Sequence, residues 1–194
     1  MKKILILFFV LFFSLALHAD EETLISGDME HGGFGGFGFR VTSLNGQTAV
    51  MSGGSGAWLI NSRFFIGGSG YSNMSDDIKA PVVLESEQVY MNINYGGVNI
   101  GYVFNPDKLY HVTIDALIGS GNINYTQRNG NDDWKSDNFF VLEPSVNLEL
   151  NIVNWFRLGF GVSYRLVNDI EMRNLKDSDI NGFSAGVLFK FGKF

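Results

Sequence analysis

Along the last dozen residues, Phe183, Ala185, Val187, Phe189 and Phe191 alternate with Ser184, Gly186, Leu188 and Lys190. An extended segment there has one apolar face and one small, mixed, basic face. The same two-residue period recurs upstream. Phe156, Leu158, Phe160, Val162, Tyr164 and Leu166 oppose Arg157, Gly159, Gly161, Ser163 and Arg165, and Phe140, Leu142, Val146, Leu148 and Leu150 oppose Glu143, Ser145, Asn147 and Glu149. Tyr110, Val112, Ile114, Ala116 and Ile118 oppose His111, Thr113, Asp115, Leu117 and Gly119, and near the start Phe37, Phe39 and Val41 oppose Gly38, Arg40 and Thr42. The pattern predicts eight strands, over about 32–43, 47–58, 63–74, 88–104, 109–125, 138–151, 155–167 and 180–194, with no sustained helical period between them.

Two places disturb the alternation. In the fourth strand Val89, Met91, Ile93 and Tyr95 share one parity, whereas Val98, Ile100, Tyr102 and Phe104 share the other. One extra residue would cause the switch, which predicts a bulge at Gly96-Gly97. In the sixth strand Pro144 stands on the apolar parity, where it removes a ladder hydrogen bond. That predicts a second bulge or a loosened wall that admits a lipid chain. A local echo, Asn92-Ile93-Asn94-Tyr95 and Asn122-Ile123-Asn124-Tyr125, is the sole repeat.

Connections alternate in length. Asn61-Ser62, Asn105 to Lys108 and Val153-Asn154 are short turns, while 75–87, 126–137 and 168–179 read as long polar or charged loops. Asn45-Gly46, between the first two strands, is a strong hairpin signal. An even number of strands with short turns at one end and long loops at the other is the arrangement of a transmembrane barrel. The final strand, with Phe189, Phe191 and the terminal Phe194, resembles the closing strand of bacterial outer-membrane β-barrel proteins, where it serves as an assembly signal. The resemblance implies an eight-stranded antiparallel up-and-down barrel of the OmpX-like and OmpA-like kind. It also implies outer-membrane lipid and the barrel-assembly machinery as partners. With the chain ending at Phe194, no soluble OmpA-type domain is expected after the barrel.

Composition sharpens the compartment. Met1 to Ala19 carries Lys2 and Lys3, an apolar run from Ile4 to Leu17, then His18-Ala19, which reads as a cleaved secretory signal. Residues 20–31 read as an acidic lead-in and 32–194 as the barrel domain. The formal charge of −6 includes those two lysines, so the remainder carries −8, against nucleic-acid binding. Cysteine is absent, which excludes disulfides and thiolate chemistry.

The polar parities hold the candidate chemistry. Arg40, His111, Asp115, Glu143, Glu149, Arg157, Arg165 and Lys190 mix both signs, as expected of a narrow, self-neutralising interior. Glu143 and Glu149 are expected beside Arg157 and Arg165 on the next strand. His111 with Asp115 could activate a hydroxyl, but a structural network accounts for the same residues because interior charges must be paired. Gly33 to Gly38 fits Gly-x-Gly-x-x-Gly without the helix that phosphate binding needs. The acidic pairs Asp76-Asp77 and Asp132-Asp133 and the segment Asp177 to Asp179 lack calcium-loop spacing. No catalytic residue, cofactor or metal is expected, and no surface ligand is specified.

The expected function is that of a small structural or surface-interaction barrel. One alternative is a secreted or periplasmic lipocalin-like barrel with the apolar faces inward and an apolar ligand inside. A third reading is a lipid-modifying outer-membrane enzyme.

Overall fold

The computed structural model describes residues 29–74, 77–84, 87–127 and 133–194. The signal segment, most of the lead-in, Asp76 and Asp132 lie outside the described residues. The strands are β1 (His31–Leu44), β2 (Gln47–Ile60), β3 (Phe64–Asn73), β4 (Lys79–Leu84), β5 (Glu87–Phe104), β6 (Tyr110–Gln127), β7 (Asp133–Val153), β8 (Phe156–Asn168) and β9 (Gly182–Lys193), with a one-turn helix α1 (Asp177–Ile180) before the last. The sheet runs β3-β2-β1-β9-β8-β7-β6-β5-β4, and β3 also pairs with β5, so it closes on itself. Every pairing is antiparallel.

Eight of these strands form the wall. The ninth, β4, is a correction to the loop expected over 75–87: it adds to β5 beyond the point where β3 ends, from Lys79↔Tyr90 to Leu84↔Glu87. The loop expected at 126–137 is shortened from both sides, because β6 continues to Gln127 and β7 begins at Asp133. At the other end β1 starts at His31, one residue before the expected boundary. The Asn45-Gly46 turn forms as expected, with φ of 49° and 71°, the left-handed pair that a tight hairpin requires.

Following paired residues once round the wall, from His31 through Ile60, Phe64, Tyr102, Ile114, Val146, Val162 and Ala185 to Val41, returns ten residues further along β1 (41 − 31). For eight strands that stagger tilts them by roughly 40° and leaves an interior that side chains can fill.

Neither expected bulge is present. Tyr95↔Gly121, Gly96↔Ser120 and Gly97↔Gly119 follow in unbroken register, as do Gly70↔Gly96 and Ser69↔Gly97. The apolar parity of β5 switches because its two halves face different surroundings. Met91, Ile93 and Tyr95 point into the barrel, where they are buried, whereas Val98 and Ile100 point outward. At Pro144, Leu142↔Leu166 and Ser145↔Ser163 share one register, so β7 and β8 continue across the missing hydrogen bond without an inserted residue.

The outward parities carry Phe37, Phe39, Val41, Ile114, Val146, Phe160 and Val162, all exposed. At the end that carries the termini, Trp58, Phe104, Tyr110 and Trp155 ring this surface. An apolar belt of this kind is stable against hydrocarbon and not against water. It overturns the lipocalin-like alternative, which needs these faces inside.

The interior has two parts. Toward the long loops it is apolar: Met51, Met91, Ile93, Ile123, Tyr125 and Val141 pack with Ile78, Ala80 and Val82 from the β3–β5 connection and Met172, Leu175 and Ile180 from the β8–β9 connection. Each large side chain buried there contributes about 1.5–3 kcal/mol. Toward the termini a smaller cluster of Phe34, Leu59, Phe65 and Val103 receives Phe194.

Candidate functional site

Polar side chains converge between these two apolar clusters, on strands whose inward positions the alternation assigns. Arg40 of β1 reaches across to Glu143 of β7 and forms an ion pair. Arg40 also donates to the Tyr71 hydroxyl at 2.5 Å, with its guanidinium carbon 3.6 Å above the Tyr71 ring centre. The other carboxylate oxygen of Glu143 accepts from the Tyr95 hydroxyl at 2.6 Å, and Ser163 donates to Oε1 at 2.5 Å. A carboxylate so supplied with donors and one cation is stable in a buried setting.

Closer to the termini, Lys190 donates to Glu149 Oε1 at 2.5 Å, and His111 Nε2 lies 3.6 Å from Glu149 Oε2. Arg157, buried, stands 4.0 Å over the Phe194 ring. Asp115 accepts from Ser145 at 2.6 Å and from Asn147 at 2.8 Å. Glu143 meets Arg40 and Glu149 meets Lys190, each beyond the neighbouring strand, because a narrow barrel brings non-adjacent walls within side-chain reach.

Arg165 has a different partner. Fully buried, it donates from Nε to the Ile180 carbonyl at 3.0 Å and from Nη2 to the same oxygen at 2.9 Å. A further donation from Nη2 reaches the Ser43 carbonyl at 3.2 Å. It thus satisfies the C-terminal end of α1 and ties the β8–β9 connection to the wall. Asn181 accepts from the Val167 amide at 2.6 Å, and the Asn45 amide donates to the Asp179 carbonyl at 2.7 Å. On the opposite side Gln47 both donates to and accepts from the Lys79 backbone, at 2.8 and 3.0 Å. The two long connections together cap the mouth. Sequence reasoning read 168–179 as charged loop and missed the cap, although Met172, Leu175 and Ile180 at irregular spacing were its signal.

His111 and Asp115 do not meet. They lie four positions apart on β6, a separation of roughly 13 Å, and Asp115 is bonded to Ser145 and Asn147 while His111 lies beside Glu149. Gly33 to Gly38 runs inside β1. Of the C-terminal aromatics, Phe189 stacks on outward Phe37 with ring centres 5.0 Å apart and Phe191 on Phe156 at 4.9 Å, whereas Phe194 turns inward beside Phe34. Phe194 shares the inward parity of Lys190.

A closed antiparallel wall, an apolar belt and a filled core are now matched by similarity. The model of the outer membrane protein beta-barrel domain matches residues 5–191. The chain belongs to this family. No curated protein matches it in sequence. Among solved structures, this outer-membrane barrel is similar to Neisserial surface protein A (NspA), with a TM-score of 0.61 at 14% identity over 87% of this chain and 100% of that one. It is similar to Ail, the attachment invasion locus protein of Yersinia pestis, with 0.52 at 12% identity over 86% and 99%. It is also similar to the N-terminal barrel domain of Pseudomonas aeruginosa OprF, with 0.52 at 13% identity over 84% and 96%. At these identities the likeness is one of fold. The family places the protein in the outer membrane.

Proposed function

We propose that the protein is a non-catalytic surface barrel: its wall anchors it in the outer membrane, and its capped loop end presents a shaped face to the cell exterior. The observation that carries this reading is the cap. Ile78, Ala80, Val82, Met172, Leu175 and Ile180 are buried under connections that a simple anchor could leave solvated, so the exterior face has a core of its own. The interior ionic groups are read as structural, since Glu143 has Arg40 and two hydroxyl donors and Glu149 has Lys190. In this reading the loops stand outside because the β3–β5 and β8–β9 connections at that end are long, whereas the connections at the opposite end are short. Likeness in fold to NspA, named as a surface protein, and to Ail, named for attachment and invasion, supports the same reading.

The competing enzyme reading is tested through the membrane lipids. Overproduction of the wild-type chain should leave the mass spectrum of extracted lipid A unchanged. A new acylated or deacylated species that disappears with Asp115→Asn or His111→Gln would overturn the proposal.

A further inference from the structure

The repeated tetrapeptide Asn-Ile-Asn-Tyr acquires a meaning from the register. Its copies pair antiparallel, with Asn92↔Asn124, Ile93↔Ile123 and Asn94↔Asn122. Ile93, Ile123, Tyr95 and Tyr125 enter the apolar interior, which turns all the asparagines outward. The next strand extends the row, since Asn122 pairs with Asn138 and Asn124 with Ser136. A contiguous field of neutral amides thus covers the outer wall of β5, β6 and β7.

Its position along the strands is defined. On β5 the outward series is apolar through Val98, passes Gly96 and then reaches Asn94 and Asn92. On β6 it is apolar through Ile118 and passes Ser120 before Asn122 and Asn124; on β7 Phe140 directly precedes Asn138. The field therefore faces sideways, immediately beyond the apolar belt, at the depth of lipid headgroups. Asparagine is disfavoured in strands, and cross-strand bonds use only part of the field's amide capacity. Asn122 donates to Asn138 Oδ1 and to the Asp137 carbonyl, each at 3.1 Å, and Asn92 Oδ1 accepts from Asn73 at 3.2 Å. Asn94 and Asn124 make no side-chain hydrogen bond with other described residues.

We propose that this amide field docks the sugar headgroup of outer-leaflet glycolipid. Each amide offers one acceptor and two donors, which complements sugar hydroxyls, and the field contains no Lys or Arg of the kind that selects phosphate. The proposal rests on the loop end facing the exterior.

The test uses the whole barrel, isotopically labelled on asparagine, in phosphatidylcholine nanodiscs with increasing lipopolysaccharide. The Asn94 and Asn124 side-chain amide signals should shift with lipopolysaccharide, and the shift should persist in high salt and in chelator. Asn94→Ala and Asn124→Ala should each weaken the apparent affinity about fivefold, the equivalent of one neutral hydrogen bond, with heat-modifiable gel mobility retained. Unshifted amide signals, or a response abolished by salt or chelator as phosphate or cation bridging requires, would overturn it. Separately, Lys176→Cys should react with an impermeant maleimide on intact cells. Reaction only after lysis would overturn the orientation beneath the proposal, a failure distinguishable from loss of sugar docking.

Discussion

The Arg40 guanidinium and the Glu143 carboxylate, 103 residues apart in sequence, pair across the lumen between β1 and β7, with β9 and β8 intervening along the wall. Removing only one charge leaves the other buried without its counterion. Arg40→Met should therefore destabilise the barrel by about 3–5 kcal/mol, and Arg40→Met with Glu143→Gln should recover a large part of the loss. Urea unfolding from lipid vesicles measures both.

Phe194 fills the terminal mouth beside Phe34, under the Arg157 guanidinium. Phe194→Ala should lower stability by roughly 1–3 kcal/mol, below the cost for a fully buried ring because the site is open on one side. Phe194→Leu should lose less. The same unfolding titration ranks the two variants, and equal stability of all three proteins would contradict the packing role.

Gly97 and Gly119 pair across β5 and β6. A Cβ on Gly97 would lie 2.2 Å from the Ile118 carbonyl oxygen and 2.6 Å from the Gly119 Cα. Since both contacts are backbone, Gly97→Val should prevent normal closure of the wall and abolish the heat-modifiable gel shift. Gly46→Ala, in open space at a positive φ of 71°, should cost about 1 kcal/mol and leave the shift intact.

Arg165 holds the cap through the Ile180 and Ser43 carbonyls. Arg165→Leu should free the β8–β9 connection while the wall persists. The expected result is much faster protease cleavage within 169–181 on intact cells, with the membrane-embedded fragment protected. Cleavage at the wild-type rate would show that the apolar contacts of Met172, Leu175 and Ile180 alone hold the cap.

How far the sequence disclosed this fold depends on which face each residue met. Where the surroundings of a strand were uniform, as along β8 and β9, period-two alternation set both the strand and its facing, and Arg157, Arg165 and Lys190 are buried. Along β5 the lower half faces lipid across the wall from a polar lumen, while the upper half stands beyond the belt around an apolar lumen. The hydrophobic parity inverts with no change in register, and alternation alone reads that inversion as a bulge. The partners of the ionic residues were not legible, because Arg40–Glu143 and Lys190–Glu149 depend on strand order and barrel width. The cap was hidden for a related reason. Its apolar residues serve a lumen that exists only after the wall has closed, and between charged neighbours they show no period.

Ion conductance across a planar bilayer tests the closed barrel most directly. The lumen is crossed by Arg40–Glu143 and Lys190–Glu149, narrowed by Phe194 at one mouth and covered by the cap at the other. The refolded wild-type chain should insert and give no sustained channel current at either polarity. Stable, reproducible open-channel steps from the wild-type protein would contradict the closed interior and the surface-barrel function built upon it.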